Sequence, residues 1–228
     1  MKKFIFALSF ICGLVFMANA QKLYKSHIHV GVKGGATLSS MSFSPGVEQS
    51  MTQGFTGGLV FRYAEERHVG LLAELNIVQR GWEESFEDGE PFEYKRTLTY
   101  IQLPLMTHIF FGSQRFKGFI NLGPEISYMI GNSIKSNFDY NNVSSIPDFP
   151  LQYRMTEQMG MDIENKFDYG ITAGLGMEFK FNRKHSIALE GRYYFGLGNI
   201  FPSSKKDVFD ASRHSSIMVT LGYYYRLK

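Results

Sequence analysis

Residues 217–227 read Ile217-Met218-Val219-Thr220-Leu221-Gly222-Tyr223-Tyr224-Tyr225-Arg226-Leu227. Ile217, Val219, Leu221, Tyr223, Tyr225 and Leu227 share one parity; Met218, Thr220, Gly222, Tyr224 and Arg226 share the other. A period of two is the strand signal, because successive side chains of a strand point to opposite faces. The run before it repeats the pattern, with Ile187, Leu189, Tyr193, Phe195 and Leu197 against Ala188, Glu190, Arg192 and Tyr194. Further back, Tyr169, Ile171, Leu175, Met177 and Phe179 oppose Gly170, Thr172, Gly174, Gly176, Glu178 and Lys180. Ile120, Leu122, Ile126 and Tyr128 oppose Lys117, Asn121, Gly123, Glu125 and Ser127. Ile101, Leu103, Leu105 and Ile109 oppose Gln102, Pro104 and His108, and Leu71, Leu75 and Ile77 oppose Glu74, Asn76 and Arg80. Two shorter, glycine-rich runs near 28–38 and 54–64 bring the number of strands to eight.

The connections alternate in length. Tight joins fall at Tyr63-Ala64-Glu65-Glu66-Arg67, Gly112-Ser113-Gln114-Arg115 and Asn182-Arg183-Lys184-His185, and long ones around 39–53, 82–95, 131–166 and 199–213. Short turns on one side and long loops on the other are the pattern of outer-membrane barrels. A soluble barrel turns its apolar face inward, and its polar face, meeting water, carries many charged residues. Here the polar face mixes glycines with a few charges of both signs, which suits a cramped interior. Tyrosine and phenylalanine gather towards the run ends, where aromatic girdles sit. The sequence therefore predicts an all-β, eight-stranded antiparallel up-and-down transmembrane β-barrel. The even strand count places both chain ends on one side, expected to be the periplasmic side of the outer membrane.

The rest of the chain is consistent with that address. Residues 1–20 read as a secretory leader: Lys2 and Lys3, an apolar stretch from Phe4 to Met17, then Ala18-Asn19-Ala20 before Gln21. Residues 21–228 form a single expected domain. The one cysteine, Cys12, lies in the leader, so the exported chain relies on burial and backbone pairing instead of disulfides. The formal charge of +3, less Lys2 and Lys3, leaves +1, with no basic stripe of the kind a nucleic-acid binder carries. No later segment offers the roughly 18 uninterrupted apolar residues of a membrane helix. A closed sheet is then the remaining way to satisfy every backbone polar group in lipid.

Eight strands enclose a lumen just wide enough for side chains to fill. Glu74, Arg80, Glu125, Glu178, Glu190, Arg192 and Arg226 fall on the inward parity and are expected to share it. Isolated charges there would be very costly, so they must pair, either as a structural plug of salt bridges or as an ion path. The 131–166 connection is too long for a plain turn and carries Phe138, Tyr140, Phe149 and Tyr153. Those aromatics are candidates for contact with a partner, or for packing over the barrel mouth. Six carboxylates between Glu83 and Glu93 follow no EF-hand spacing and read as a solvated acidic loop. His27 and His29 share one face of a strand but lack further ligands. His214-Ser215-Ser216 shows no acid partner for a hydrolase. No cofactor, metal or catalytic site is expected, and the chain does not read as an enzyme.

Several segments resemble the PorT-like outer-membrane barrels of Bacteroidetes-type bacteria. Gly31-Val32-Lys33-Gly34-Gly35-Ala36-Thr37-Leu38-Ser39 is similar to that family's first strand, with Thr37 where Asn is common. Gly70-Leu71-Leu72-Ala73-Glu74-Leu75, running to Gln79-Arg80-Gly81-Trp82, is similar to its third. Tyr100-Ile101-Gln102-Leu103-Pro104-Leu105 is similar to its fourth, with Gln102 where Glu is usual, and Leu122-Gly123-Pro124-Glu125 and Leu189-Glu190-Gly191-Arg192 also match. The resemblance implies a non-enzymatic envelope barrel, either binding and scaffolding, with a link to protein secretion, or passively structural; a lipid-modifying enzyme is the remaining alternative. Expected partners are outer-membrane lipids, lipopolysaccharide and an envelope or secretion protein, with no nucleic acid and a chain able to act as a monomer.

Overall fold

The computed structural model of the protein describes residues 26–64, 68–87, 90–152, 154–204 and 206–227. The leader assigned to 1–20, Tyr153 and part of the Tyr63–Arg67 turn lie outside the described residues. The strands are β1 (His27–Ser44), β2 (Gln49–Ser50), β3 (Thr52–Ala64), β4 (Val69–Glu84), β5 (Tyr94–Gly112), β6 (Phe116–Ser136), β7 (Phe167–Lys180), β8 (His185–Gly196) and β9 (Ala211–Arg226). Each long strand pairs antiparallel with its chain neighbours, β1 pairs with both β3 and β9, and β4 pairs with β5, so the ladder closes on itself. β2 is a two-residue piece of loop laid against the end of β4. Eight strands thus make the barrel, as the alternation predicts.

The two faces are inverted relative to a soluble protein. Leu71 is 63% exposed and Leu175 71%, while Glu74 and Arg80, on the opposite parity, are 3% and 0% exposed. Apolar side chains outside and charges inside fit a barrel whose outer solvent is lipid. Phe111, Phe116, Phe179, Phe181 and Tyr223 ring the turn end of this belt, and Tyr128, Phe167, Tyr169, Tyr193 and Phe195 the loop end, all on the exposed face. No helix among the described residues is long and apolar enough to cross a membrane.

Strands run further than the sequence suggests. β1 continues to Ser44, β4 to Glu84, and β5 begins at Tyr94, so two expected loops shorten to 45–51 and 85–93. The added residues are held because their inner face remains buried: Met41, Phe43, Trp82, Tyr94 and Arg96 are all enclosed. Near mid-belt the ladder is interrupted. β4–β5 pairing skips between Ala73↔Leu105 and Asn76↔Gln102, and β5–β6 pairing between Pro104↔Glu125 and Thr107↔Leu122. Pro104 and Pro124 have no N–H to give. Beside them a groove of about 700 Å³, lined by Phe61, Leu71, Leu105 and Leu122 among others, opens on the lipid-facing side.

Candidate functional site

Inside the barrel the inward parity of the strands assembles one continuous polar network. Glu74 on β4 receives Lys33 Nζ from β1 at 2.6 Å and both terminal nitrogens of Arg192 from β8 at 2.7 and 2.9 Å. Arg192 also donates to Glu190 at 2.8 Å, and Asn121 Nδ2 donates to the same carboxylate at 2.7 Å. His108 Nδ1 lies 2.7 Å from Asn121 Oδ1, and Arg62 Nη1 donates to His108 Nε2 at 3.3 Å. Arg62 then grips Glu178 with two bonds of 2.8 and 3.1 Å. Three cations and three carboxylates, drawn from five strands, neutralise one another. Asn76 joins Glu74 to Gln102 at 2.9 and 3.1 Å, so the glutamine that replaces an expected carboxylate still accepts a bond.

A second cluster stands on the loop side of the first. Arg80 is wholly buried, bonds Glu125, lies 3.6 Å from Asp168, and stacks 3.9 Å over the Tyr194 ring. Tyr194 Oη donates to Asp168 at 2.9 Å. Tyr100 Oη and His214 Nε2 are 2.9 Å apart. Of the seven charges expected inside, Glu74, Glu178, Glu190 and Arg192 meet in the first network and Arg80 and Glu125 in the second. Arg226 faces inward at the turn-end rim, half-buried, where it donates to His27 Nδ1 at 2.6 Å. Sequence reasoning put His108 and Asn121 on the inward parity without naming them among the paired groups, and missed Lys33, Arg62 and Asp168. Their parity was the available signal, since Lys33 stands beside the outward Val32, Arg62 beside Phe61, and Asp168 between Phe167 and Tyr169.

The loop end is closed by residues 137–166. Met159 and Phe149 are buried in an apolar cluster with Trp82, Phe43, Phe201, Phe209 and Tyr94. The helical turn Glu157–Gly160 is pinned from below. Tyr94 Oη donates to Met159 O at 2.7 Å, Arg96 Nη1 to Met161 O at 2.7 Å, and Gln158 Nε2 to Glu84 Oε1 at 3.1 Å. Phe149 packs against Phe92 and Phe138 at 4.9 and 5.2 Å between ring centroids, and Tyr140 against Tyr94 at 5.8 Å. The aromatics expected as a contact surface are therefore mostly spent on packing: Phe149 is buried, Phe138 and Tyr140 are half-buried. Arg154 braces the cap, donating to Ser85 O at 2.6 Å and lying 4.1 Å over the Phe86 ring. What this cap shows outward is acidic. Glu48, Glu87, Glu90 and Asp148 border a cavity of about 410 Å³ beside Arg154. In the neighbouring 197–210 loop, hydrogen bonds from Ser204, the backbone one at 2.6 Å, hold the Asp207 carboxyl below its ordinary value.

Other sequence candidates take up definite positions. Among the described residues no three His, Cys, Asp or Glu side chains gather in an arrangement that would hold a metal ion. His214 points into the lumen against Tyr100, whereas Ser215 points the other way and bonds Tyr193 Oη at 2.8 Å. Ser216 shares the inward, buried face of β9 with His214, and only Ser215 lies on the opposite one.

A family model described as the outer membrane protein beta-barrel domain matches residues 19–202. None of the curated proteins matches this sequence. Among solved structures, Neisserial surface protein A is similar at 12% identity over 89% of this chain and 99% of that one, with a TM-score of 0.43. OprG from Pseudomonas aeruginosa is similar at 12% identity over 87% and 95%, with a TM-score of 0.47. Ail, the attachment invasion locus protein of Yersinia pestis, is similar at 12% identity over 86% and 97%, with a TM-score of 0.39.

Proposed function

Because this chain belongs to the outer membrane protein beta-barrel domain family, we propose that it serves in the outer membrane as a binding or scaffold component of the cell envelope. The observation that carries this reading is the loop cap. Phe86 and Phe92 of one loop and Phe138 and Phe149 of the other share one packed aromatic cluster, which fixes the described residues around it before any partner arrives. Pre-ordered surfaces lose less entropy on binding than mobile loops do. In this reading the leader at 1–20 is removed, the turns and both chain ends face the periplasm, and the cap faces outward among lipopolysaccharide. Its acidic border of Glu48, Glu87, Glu90 and Asp148 then selects a partner with basic contact residues. A place in a protein-secretion assembly is the finer form of the proposal, supported by the PorT-like segments at 31–39, 70–82 and 100–105. The filled lumen argues against a general diffusion pore.

The test is a crosslinked pull-down of the tagged protein from its native outer membrane, repeated with Glu48→Lys and Glu87→Lys together. Both side chains are exposed, so the barrel should fold as before. The expected result is a stoichiometric protein partner that the double variant captures at least tenfold less. An empty capture from correctly inserted barrel would instead make this a passive structural protein of the membrane.

A further inference from the structure

Beyond the loop-end aromatic ring the wall of the barrel is uneven. β6 pairs with β5 as far as Tyr94↔Ser136, but its last partner on β7 is Phe167, opposite Tyr128. One more bond follows, from Met129 N–H to Lys166 O at 2.8 Å. Residues 161–166 then lead inward, where Ile163 is buried and Met161 O accepts from Arg96 Nη1 at 2.7 Å. Residues 130–136 of β6 are therefore a sheet edge with a neighbouring strand on one side only. Asn137 N–H donates to Glu93 O at 3.2 Å, and bonded and unbonded pairs alternate along an antiparallel ladder. The odd positions of this stretch thus bond β5, and the N–H and C=O of Asn132, Ile134 and Ser136 point away from it. Among the described residues these groups have no hydrogen-bond partner. Side chains hold the edge in place: Arg96 Nε donates to Asn132 Oδ1 at 3.1 Å, and Ser136 Oγ to Phe138 O at 2.9 Å. Asn132, Ser133 and Lys135 are exposed. A cleft of about 320 Å³, bordered by Ile130, Asn132, Ile163 and Lys166, opens beside the start of the edge.

We infer that this edge takes up an extended segment of another protein as an added strand, with carboxylates on its outward positions and apolar side chains on its inward ones. An open row of N–H and C=O groups is a template for strand addition, in which the main chain supplies affinity and alternate side chains supply choice. The outward row across the sheet reads Glu83, Lys95, Lys135 in register. Glu83 lies 3.8 Å from Lys95, while Lys95 and Lys135 stand directly opposite one another, an unfavourable pairing of like charges. A carboxylate at the next position outward does for Lys135 what Glu83 does for Lys95. The inward row reads Trp82, Arg96, Ile134. Ile134 packs against the apolar cluster beneath the cap, so an apolar residue beside it extends that cluster. A second copy of the chain does not fit. Copies in one membrane stand the same way up, so a two-fold axis between them runs along the membrane normal and cannot set one edge antiparallel to itself. The inference needs the loop end to face outward, as proposed above, but uses nothing of the cap's acidic border.

The full mature chain in phosphatidylcholine nanodiscs is titrated with a short fluorescent peptide of alternating valine and glutamate. Binding should saturate, and hydrogen exchange should show the amides of Asn132, Ile134 and Ser136 protected at least tenfold in the complex. Ile134→Pro removes a donor of the edge without removing a bond to β5, since proline is tolerated where an edge N–H faces solvent. It should weaken binding at least tenfold while the heat-shifted gel band is unchanged. Should the proline prevent folding, Lys135→Glu, an exposed charge reversal, should weaken binding at least threefold and turn the preference towards a valine–lysine peptide. Glu48→Lys with Glu87→Lys should not weaken this binding, so the strand-adding edge and the acidic border fail separately. No saturable binding, protection confined to other residues, or equal binding by the edge variants would overturn the inference. Equal binding of a peptide with the same residues in two blocks would also overturn it, in favour of charge attraction without strand pairing.

Discussion

Glu74 is the residue on which most of the interior converges. It is 3% exposed and accepts from Lys33, Arg192 and Asn76. Around it the positive and negative charges of the first network are equal in number, three of each. Neutralising Glu74 leaves Lys33 and Arg192 facing Glu190 alone, an uncompensated cation in a poorly hydrated space. Breaking a buried pair by removing one partner costs about 3–5 kcal/mol. Glu74→Gln should therefore lower the stability of the barrel by about that much, measured by urea unfolding in detergent or bilayers. Adding Lys33→Met restores the balance, because Arg192 and Glu190 still pair at 2.8 Å, and the double variant should recover at least half of the loss. A Glu74→Gln barrel as stable as the parent would mean that the network contributes nothing to holding the sheet closed.

At the scale of single elements, the turn between β5 and β6 shows how the ladder is started. Gly112 has φ of +124°, and a Cβ placed there would come within 2.6 Å of Phe116 O. Ser113 N–H donates to that same carbonyl at 2.8 Å, so the oxygen cannot withdraw without loosening the turn. Gly112→Ala should cost about 1–3 kcal/mol of stability through backbone strain, read as a lower urea midpoint, whereas Gln114→Ala on the same turn should change little. This turn was legible in the sequence, as were the strands, because alternation and Gly-Ser-Gln-Arg joins are local signals. The cap was not. Whether Phe149 and Met159 pack or project depends on Tyr94, Arg96 and Glu84, which are distant in sequence, and no local pattern announces that pinning. Lys33 and Arg62 escaped for a related reason. Their strands are interrupted by Gly31, Gly34, Gly35, Gly54, Gly57 and Gly58, which blurs the apolar parity that reveals an inward charge elsewhere.

The whole molecule has two independent closures, and they can be separated. Backbone pairing closes around eight strands, from β1 to β9 and back, despite the local interruptions beside Pro104 and Pro124, and uses nothing from residues 138–160. The lumen is filled along its length by the two polar clusters and, above them, by apolar side chains that include Met159 and Phe149. Deleting 138–160 should therefore leave a folded barrel that still shifts on a gel after boiling. It should also leave the lumen shut, because Arg80, Glu125, Asp168 and Tyr194 lie beneath the cap and keep their contacts. Planar bilayers should accordingly show no conductance for the parent and none for the deletion. Arg80→Ala in the deletion background removes the side chain that both bonds Glu125 and stacks on Tyr194, and leaves two carboxylates that draw in water and cations. That combined variant should conduct, with cation preference, while Arg80→Ala under an intact cap should remain silent or nearly so. Steady channels from the parent protein would show that the interior is a path and not a plug, and would move the search for function from the two ends of the barrel into its middle.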